Sequence, residues 1–460
     1  MRSLDEINAD ALTAIDQHNV DRLFVLADEV ELLVLPEAQA RMYKWRGIAK
    51  RWQHKYSEAL VLLERAYALF NELGNERAIA GMSMNIGNVF MDIADLSNAL
   101  VWFHKALDGF QEVGELAQVA RTSVNIGIVH SDLGSYPEAM VWYERAAALL
   151  EEVQDVSALG RVYHSIGQLY ISTSILPKAL EYFERSIPLF EKVHDDYSIG
   201  AVYNDIGNVH SGSKNSQEAL KWFQLAEAHH LTIGDNVGLV FALANIGDVH
   251  YTNGDFDEAR RYYEQALDTI SEGGLPDIVH TVHVSMCSVL IDLGLIDDAR
   301  NRFAKLNDHI THSPKNIVAR LGIQGRLNIV DGDLDAASAS YLKAIDEART
   351  HGLRGAEASY HKQLRDVAQQ RNDLAAYIEH NNAYTSITEE ISGKETALKL
   401  AMHSKEKEIR AEREERERER AILYGALPRS IADRMIRGDD VSGDHYNDAT
   451  VMFLDVVGFT

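Results

Sequence analysis

The sequence predicts an all-α protein built as a stack of repeated helix pairs. Three observations predict it. Small and aromatic residues return every 40 positions along most of the chain. Only 7 prolines interrupt 460 residues, of which 46 % are apolar. Alanine, leucine and glutamate are plentiful, and no long β-branched run appears before the last ten residues.

Four columns carry the repeat. Glycine stands at Gly47, Gly87, Gly127, Gly167, Gly207 and Gly247, and Cys287 takes the next slot. Twelve residues after each comes Ala59, Ala99, Ala139, Ala179, Ala219, Ala259 or Ala299. Four further on the sequence places an aromatic: Phe103, Tyr143, Phe183, Phe223, Tyr263 and Phe303. Three beyond that a small residue returns, as Ala66, Ala106, Ala146, Ser186, Ala226 and Ala266. Glycine lets the first helix of a pair close on the second, and alanine does the same from the other side. The aromatic shares the alanine's helical face one turn later, where it is expected to fill the space between neighbouring pairs. Helix ends fall at Gly74, Gly114, Gly234 and Gly274, suited to left-handed caps, whereas the slots at Gln154 and His194 lack the glycine.

The register continues less regularly. Gly325, Ala337, Tyr341 and Ala344 form an eighth unit after a two-residue deletion, and Leu364, Ala376, His380 and Ala383 a degenerate ninth. Residues 5 to 35 read as one amphipathic pair that caps the array, since a terminal unit needs a polar outer face.

Segments such as NIGNVFMDIADLSNALVWFHKAL resemble the tetratricopeptide repeat in its 40-residue variety. The usual first-helix tryptophan is replaced by residues such as Tyr43, Tyr163 and Tyr203, and the late proline is missing. The resemblance implies a right-handed superhelical solenoid of eight to nine helix pairs over residues 39–390, with residues 1–38 as the N-terminal capping pair. It also implies a concave groove, lined by the first helices, that takes a peptide or protein ligand.

Projected onto a helix, the groove-facing positions fall six and three before the glycine, and one, four and five after it. They read Asn88, Asp92, Arg121, Asp132, Arg161, His164, Gln168, Asn204, Asn208, Asp248 and Tyr251. Amides and arginines suit a peptide backbone and its carboxylates, because both make paired hydrogen bonds. Asn85, Asn125 and Asn245 add an amide column, and in similar arrays asparagines on the first helix grip peptides. His130, His210 and His250 recur at the same period. They are not expected to hold a metal: equivalent positions in adjacent pairs lie on the order of 10 Å apart, whereas one zinc needs every ligand near ~2 Å. Their slot is one where the repeat places a packed ring.

The formal charge of −25 repels nucleic-acid phosphates and anionic lipid, and leaves protein partners open. The lone cysteine excludes an intrachain disulfide and a cysteine-built zinc site, and Cys287 is expected as a small packed residue in a reducing compartment. The start MRSLDEINADALTAI lacks the basic and apolar blocks of a signal peptide, and no stretch reaches the apolar length of a membrane span. A cytoplasmic protein is expected.

From residue 391 to 427 the composition shifts to a charged linker. SKEKEIRAEREERERER, residues 404–420, alternates signs at spacings that pair along a helix. Met402, Ile409 and Leu423 share a heptad position but Arg416 breaks the series, so the segment reads as a lone charged helix or a weak parallel dimer seam. Residues 428–460 follow with PRSIADRMIRGDD, a turn-rich stretch, and TVMFLDVVGFT, which has the composition of a buried strand. The LP-x-x-IA helix followed by V-x-F-x-D-V-x-GFT resembles the opening of a class III adenylate or guanylate cyclase domain.

That resemblance implies a short helix plus one strand, a truncated start of the catalytic domain. It makes Asp455 the first metal aspartate for Mg2+ or Mn2+, and Val456 the residue whose carbonyl helps hold a metal. Gly458, Phe459 and Thr460 become the turn that meets the triphosphate. The family's sites form between two subunits, so a homodimer is implied for the full-length cyclase. The second aspartate and the base-selecting and transition-state residues do not occur in these 460 residues, so this chain alone is expected to be inactive, a fragment of a larger cyclase. The leading expectation is a regulatory, ligand-binding region of such a cyclase. A non-catalytic interaction scaffold is the alternative. A transcription regulator ranks last, given the acidity and the lack of a basic recognition helix.

Overall fold

The computed structural model describes residues 2–33, 35–270, 276–306 and 313–436. Among the described residues the chain is helical throughout, with 21 α-helices and no strand. Each second helix returns beside its first after a short turn. The opening pair is α1 (Leu4–Asp16) and α2 (Val20–Glu31). Next come α3 (Pro36–Trp52) with α4 (Tyr56–Glu72), α5 (Glu76–Asp92) with α6 (Leu96–Glu112), and α7 (Leu116–Asp132) with α8 (Tyr136–Val153). The middle of the array is α9 (Val156–Ser172) with α10 (Leu176–Val193), α11 (Asp196–Gly212) with α12 (Ser216–Ile233), and α13 (Asn236–Asn253) with α14 (Phe256–Thr269). Then follow α15 (Pro276–Asp292) with α16 (Ile296–Lys305), α17 (Pro314–Val330) with α18 (Leu334–Thr350), and α19 (Arg354–Gln370) with the 53-residue α20 (Leu374–Ala426). A short α21 (Arg429–Ile436) closes the described chain.

The turns explain why helices this similar stop where they do. An aspartate or asparagine at the N-cap, such as Asn75, Asp95, Asp155, Asp195, Asn215 or Asp235, accepts a backbone N–H from the third residue of the next helix. In most of these turns one residue takes the left-handed conformation. Gly74, Gly114 and Gly234 do so as expected, and Gly274 lies outside the described residues. Gln154 and His194, which lack the glycine, adopt it all the same, with φ of 57° and 55°. The strain of roughly 1–2 kcal/mol is offset by what the turn makes possible. The Asp155 N–H reaches the Leu150 carbonyl and the Asp195 N–H reaches that of Phe190, while the same aspartates cap the following helices.

The chain divides into two compact units, residues 1–399 and 400–460. In the first, buried apolar residues form a series of local clusters, each drawn from consecutive pairs, which is the nearest-neighbour logic of a solenoid. Within each pair the glycine column has one function. A Cβ on Gly87 would lie 2.7 Å from the Phe103 ring, and one on Gly127 or Gly247 would lie 2.6 Å from Tyr143 or Tyr263. Phe183, Phe223 and Tyr341 fill the same place over Gly167, Gly207 and Gly325. The aromatic therefore packs on the glycine of its own pair and also meets the next one: Tyr341 stacks on Tyr360 with ring centroids 5.8 Å apart. At Gly47 the ring is replaced by Leu63. Cys287 is buried with its sulfur 3.8 Å from the Ala299 carbonyl, and burial pushes its thiol up to about 12.

The described part of the second unit comprises the end of α20 and α21. Arg413–Glu417, Arg416–Glu412 and Arg418–Glu414 pair one turn apart along the exposed surface of α20. The Tyr424 hydroxyl donates to Asp433 of α21 at 2.7 Å. The strand expected at the end of the sequence lies outside the described residues.

The glycine contact predicts opposite outcomes for two similar substitutions. Gly127→Ala forces the Tyr143 ring aside and costs about 1–3 kcal/mol in urea unfolding. Gly81→Ala, in a helix interior with nothing within 4 Å of the new methyl, stabilises by about 0.5–1 kcal/mol.

Candidate functional site

First helices of successive pairs touch one another: α3 meets α5, α7 meets α9, α9 meets α11, α11 meets α13, and α13 meets α15. They form one wall, and the polar residues on it are tied together from pair to pair. Two columns of bonds repeat. In one, the residue just after the glycine meets the residue two before the next glycine: Asn125 donates to Asn88 at 3.2 Å, and Gln168 to Asp205 at 3.2 Å. In the other, the fourth residue after the glycine meets the fifth of the next pair. Arg51 forks onto Asp92 at 2.6 and 3.1 Å, and the Tyr251 hydroxyl donates to Asp292 at 2.7 Å. Arg326 joins Asp292 from the next pair at 2.6 Å.

The residues singled out from the sequence thus divide by what they touch. Asn88, Asp92, Gln168 and Tyr251 belong to the two columns, and His164 adds a 2.7 Å contact to Asp205. Arg121 reaches Asp155 at 3.3 Å. Arg161 is exposed and bonds only Ser157 of its own helix, and Asn208 and Asp132 are exposed. Asp248 keeps part of its surface in water while accepting the Tyr263 hydroxyl, and the protein crowding its carboxyl raises its pKa. Asn204 differs from expectation. It is 8 % exposed and meets His230 at 3.3 Å, so it stands behind the wall. The reason is His230, which occupies the column of Phe110, Leu150 and Phe190 and sits against Gly200 and Gly238. Asn85 donates to the Gly81 carbonyl of its own helix, and Asn245 is half-buried.

Among the recurring histidines, His250 stacks on Tyr262 with ring centroids 5.6 Å apart and planes 9° from parallel, a packing role. Among the described residues no group of three or more His, Cys, Asp and Glu side chains could hold a metal ion. No helix among them is long and apolar enough to cross a membrane. Asp455, Val456, Gly458, Phe459 and Thr460 lie outside the described residues.

Two wall residues escaped the sequence reading. Arg41 and Lys44 sit six and three before Gly47, the same groove positions one pair earlier than those considered. Arg41 binds Glu37 at 2.7 Å through one nitrogen, while its Nη1 is buried without a partner. Lys44 is only part-exposed, and burial, with repulsion from Arg41 and Arg77, pushes its ammonium down to about 8.

Residues 78–152, 158–232 and 198–272 match the family model of the tetratricopeptide repeat. The repeats resemble several solved structures in fold. The apo quorum sensor NprR from B. thuringiensis is 15 % identical with a TM-score of 0.56, covering 73 % of this chain and 97 % of its own. The apo form of RapI is 12 % identical with a TM-score of 0.58, covering 77 % and 99 %. A Rap protein complexed with Competence and Sporulation Factor is 12 % identical with a TM-score of 0.51, covering 85 % and 99 %. Atrial natriuretic peptide receptor 2 of Rattus norvegicus and of Homo sapiens is 38 % identical over 55 residues. That match takes in 12 % of this chain, which spans only 5 % of the length of these curated relatives.

The wall yields two predictions. Asp205→Ala releases both His164 and Gln168 and costs about 1–2 kcal/mol in urea unfolding, whereas Arg161→Ala and Asn208→Ala stay within ~0.5 kcal/mol. Lys44 loses its proton near pH 8 when folded but near 10.5 when unfolded. Between these values the unfolded chain binds more protons, so this group adds stability as pH rises, and Lys44→Met abolishes that slope in unfolding followed against pH.

Proposed function

We propose that this chain is the ligand-sensing region of a class III nucleotide cyclase, with the repeat wall taking a peptide or protein segment and α20 leading to the catalytic domain. One observation carries the reading. The second helix of the last pair runs unbroken from Leu374 through the charged segment to Ala426, and the LPRSIA sequence that resembles the opening of a cyclase domain then leads from Leu427 into α21. A sensor, a helical connection and a catalytic start thus follow one another without an intervening domain. The Rap protein complexed with Competence and Sporulation Factor supports a ligand role for this type of array, and the short match to atrial natriuretic peptide receptor 2 is compatible with a signalling protein.

On the wall, Arg161, Asn208 and Lys44 are groups with donors for a ligand's carbonyls and carboxylates. In the catalytic part, Asp455 and the Val456 carbonyl would help hold magnesium or manganese, and Gly458, Phe459 and Thr460 would meet the triphosphate. The complete enzyme would act as a homodimer in the cytoplasm. A metal ion there stabilises charge on the transferring phosphate.

The test joins this chain to a complete class III cyclase domain in the register of its Asp455 segment. That longer protein makes cyclic nucleotide from ATP or GTP with magnesium, Asp455→Ala abolishes the activity, and the 460-residue chain alone makes none. Arg161→Ala with Asn208→Ala weakens capture of the ligand without changing basal turnover. An extended protein with no output would leave the interaction scaffold as the better reading.

A further inference from the structure

The ninth pair departs from the rule that builds the others. Its first helix carries Leu364, not glycine, in the close-approach slot, and its second helix carries His380 where the others place an aromatic ring. In the regular pair α9–α10 the residue three before the glycine touches that ring: His164 lies 5.6 Å from Phe183, centroid to centroid. The equivalent contact in α19–α20 is His361 with His380, at 5.4 Å. Their Nδ1 atoms face each other at 3.2 Å, and His361 is 9 % exposed. Repeat geometry has therefore brought two titratable rings into a contact that elsewhere pairs a side chain with an apolar ring.

We propose that the His361–His380 pair is a proton-sensitive latch that holds the start of α20 against α19 and releases it when both imidazoles are charged. Two facing nitrogens can share one hydrogen bond only while one of them has a lone pair to accept it. A first added proton leaves such an acceptor. A second removes it and sets two like charges side by side in a part-buried site.

The surroundings decide whether neighbours could absorb that charge. From α18 comes Arg349, from α19 Glu357 and Arg354, and from α20 Glu379 and Glu390. Glu357 is 2 % exposed and already held by Arg349 at 3.1 Å and by Arg354, whose other nitrogen binds Glu390. Glu390 also takes Lys394. Glu357 and the exposed Glu379 both favour a charged His361 ring, and Arg349 opposes it. Burial, and then His380, lower the pKa of His361 below its usual 6.5. The folded joint thus binds fewer protons than the unfolded chain just below that value, so its stability is present at neutral pH and lost as the solution is acidified.

Hydrogen exchange of the whole chain, corrected for the pH dependence of intrinsic exchange, tests this without any ligand. Between about pH 7.5 and about pH 5.5 the amides of residues 376–391 lose protection severalfold, because the folded joint takes up protons less readily than the unfolded chain. Those of α4–α6 change much less. His380→Phe supplies the ring that other pairs carry, and His361→Gln keeps a hydrogen-bonding side chain without the charge. Each variant holds α20 with flat pH dependence. Equal acid sensitivity in wild type and in whichever variant folds would overturn the latch, as would full protection of wild-type α20 at the acid end. Neither outcome touches the cyclase reading, which is judged by nucleotide output alone.

Discussion

One contact sets the dimensions of the repeat: a ring from the second helix lying where the first helix has no side chain. With Tyr143 seated on Gly127 and Phe103 on Gly87, the two helices of a pair are held at a separation that a single methyl would change. Because the contact is internal to each pair, every pair presents nearly the same outer faces to its neighbours. Stacking then needs only nearest-neighbour apolar clusters, which is how the buried residues are distributed. The exceptions keep the volume constant by other means. Leu63 stands in for the ring over Gly47, and Cys287 stands in for the glycine with its thiol turned to the Ala299 carbonyl.

Periodicity made the helix pairs legible, down to the degenerate units, because small and large residues at fixed spacing report which positions share a buried face. It could not report which neighbour each face meets. The aromatic column serves two neighbours at once, the glycine of its own pair and the pair that follows. Turn positions show a similar limit. Gln154 and His194 look unsuited to a left-handed turn, yet the aspartate that follows each one gains a backbone bond and a cap that outweigh the strain. Local propensity is a weak guide where two helix ends are joined by so few residues.

The polar wall was readable as a set of positions but not as a network. Its bonds join Asn to Asn and Gln to Asp at one station, and Arg to Asp and Tyr to Asp at another, so no sequence motif marks them. Side chains that look like free recognition groups are therefore partly occupied in tying one pair to the next. What remains for a ligand is the smaller set without such ties. Asn204 shows how far a second residue can redirect a first: replacing a packed ring by His230 draws the amide behind the wall.

A solenoid is held pair by pair, so its terminal units have one neighbour instead of two and are the first to open. The last pair here also lacks the glycine–ring contact that stiffens most of the others, and has instead a contact between two imidazoles. Its second helix is the one that continues into the charged segment. Weak packing at the root of a connecting helix would be a defect in a purely structural array. In a sensor it is where a small change in charge or in wall geometry acts against the least resistance, because the free energy separating the docked and released states is smallest there.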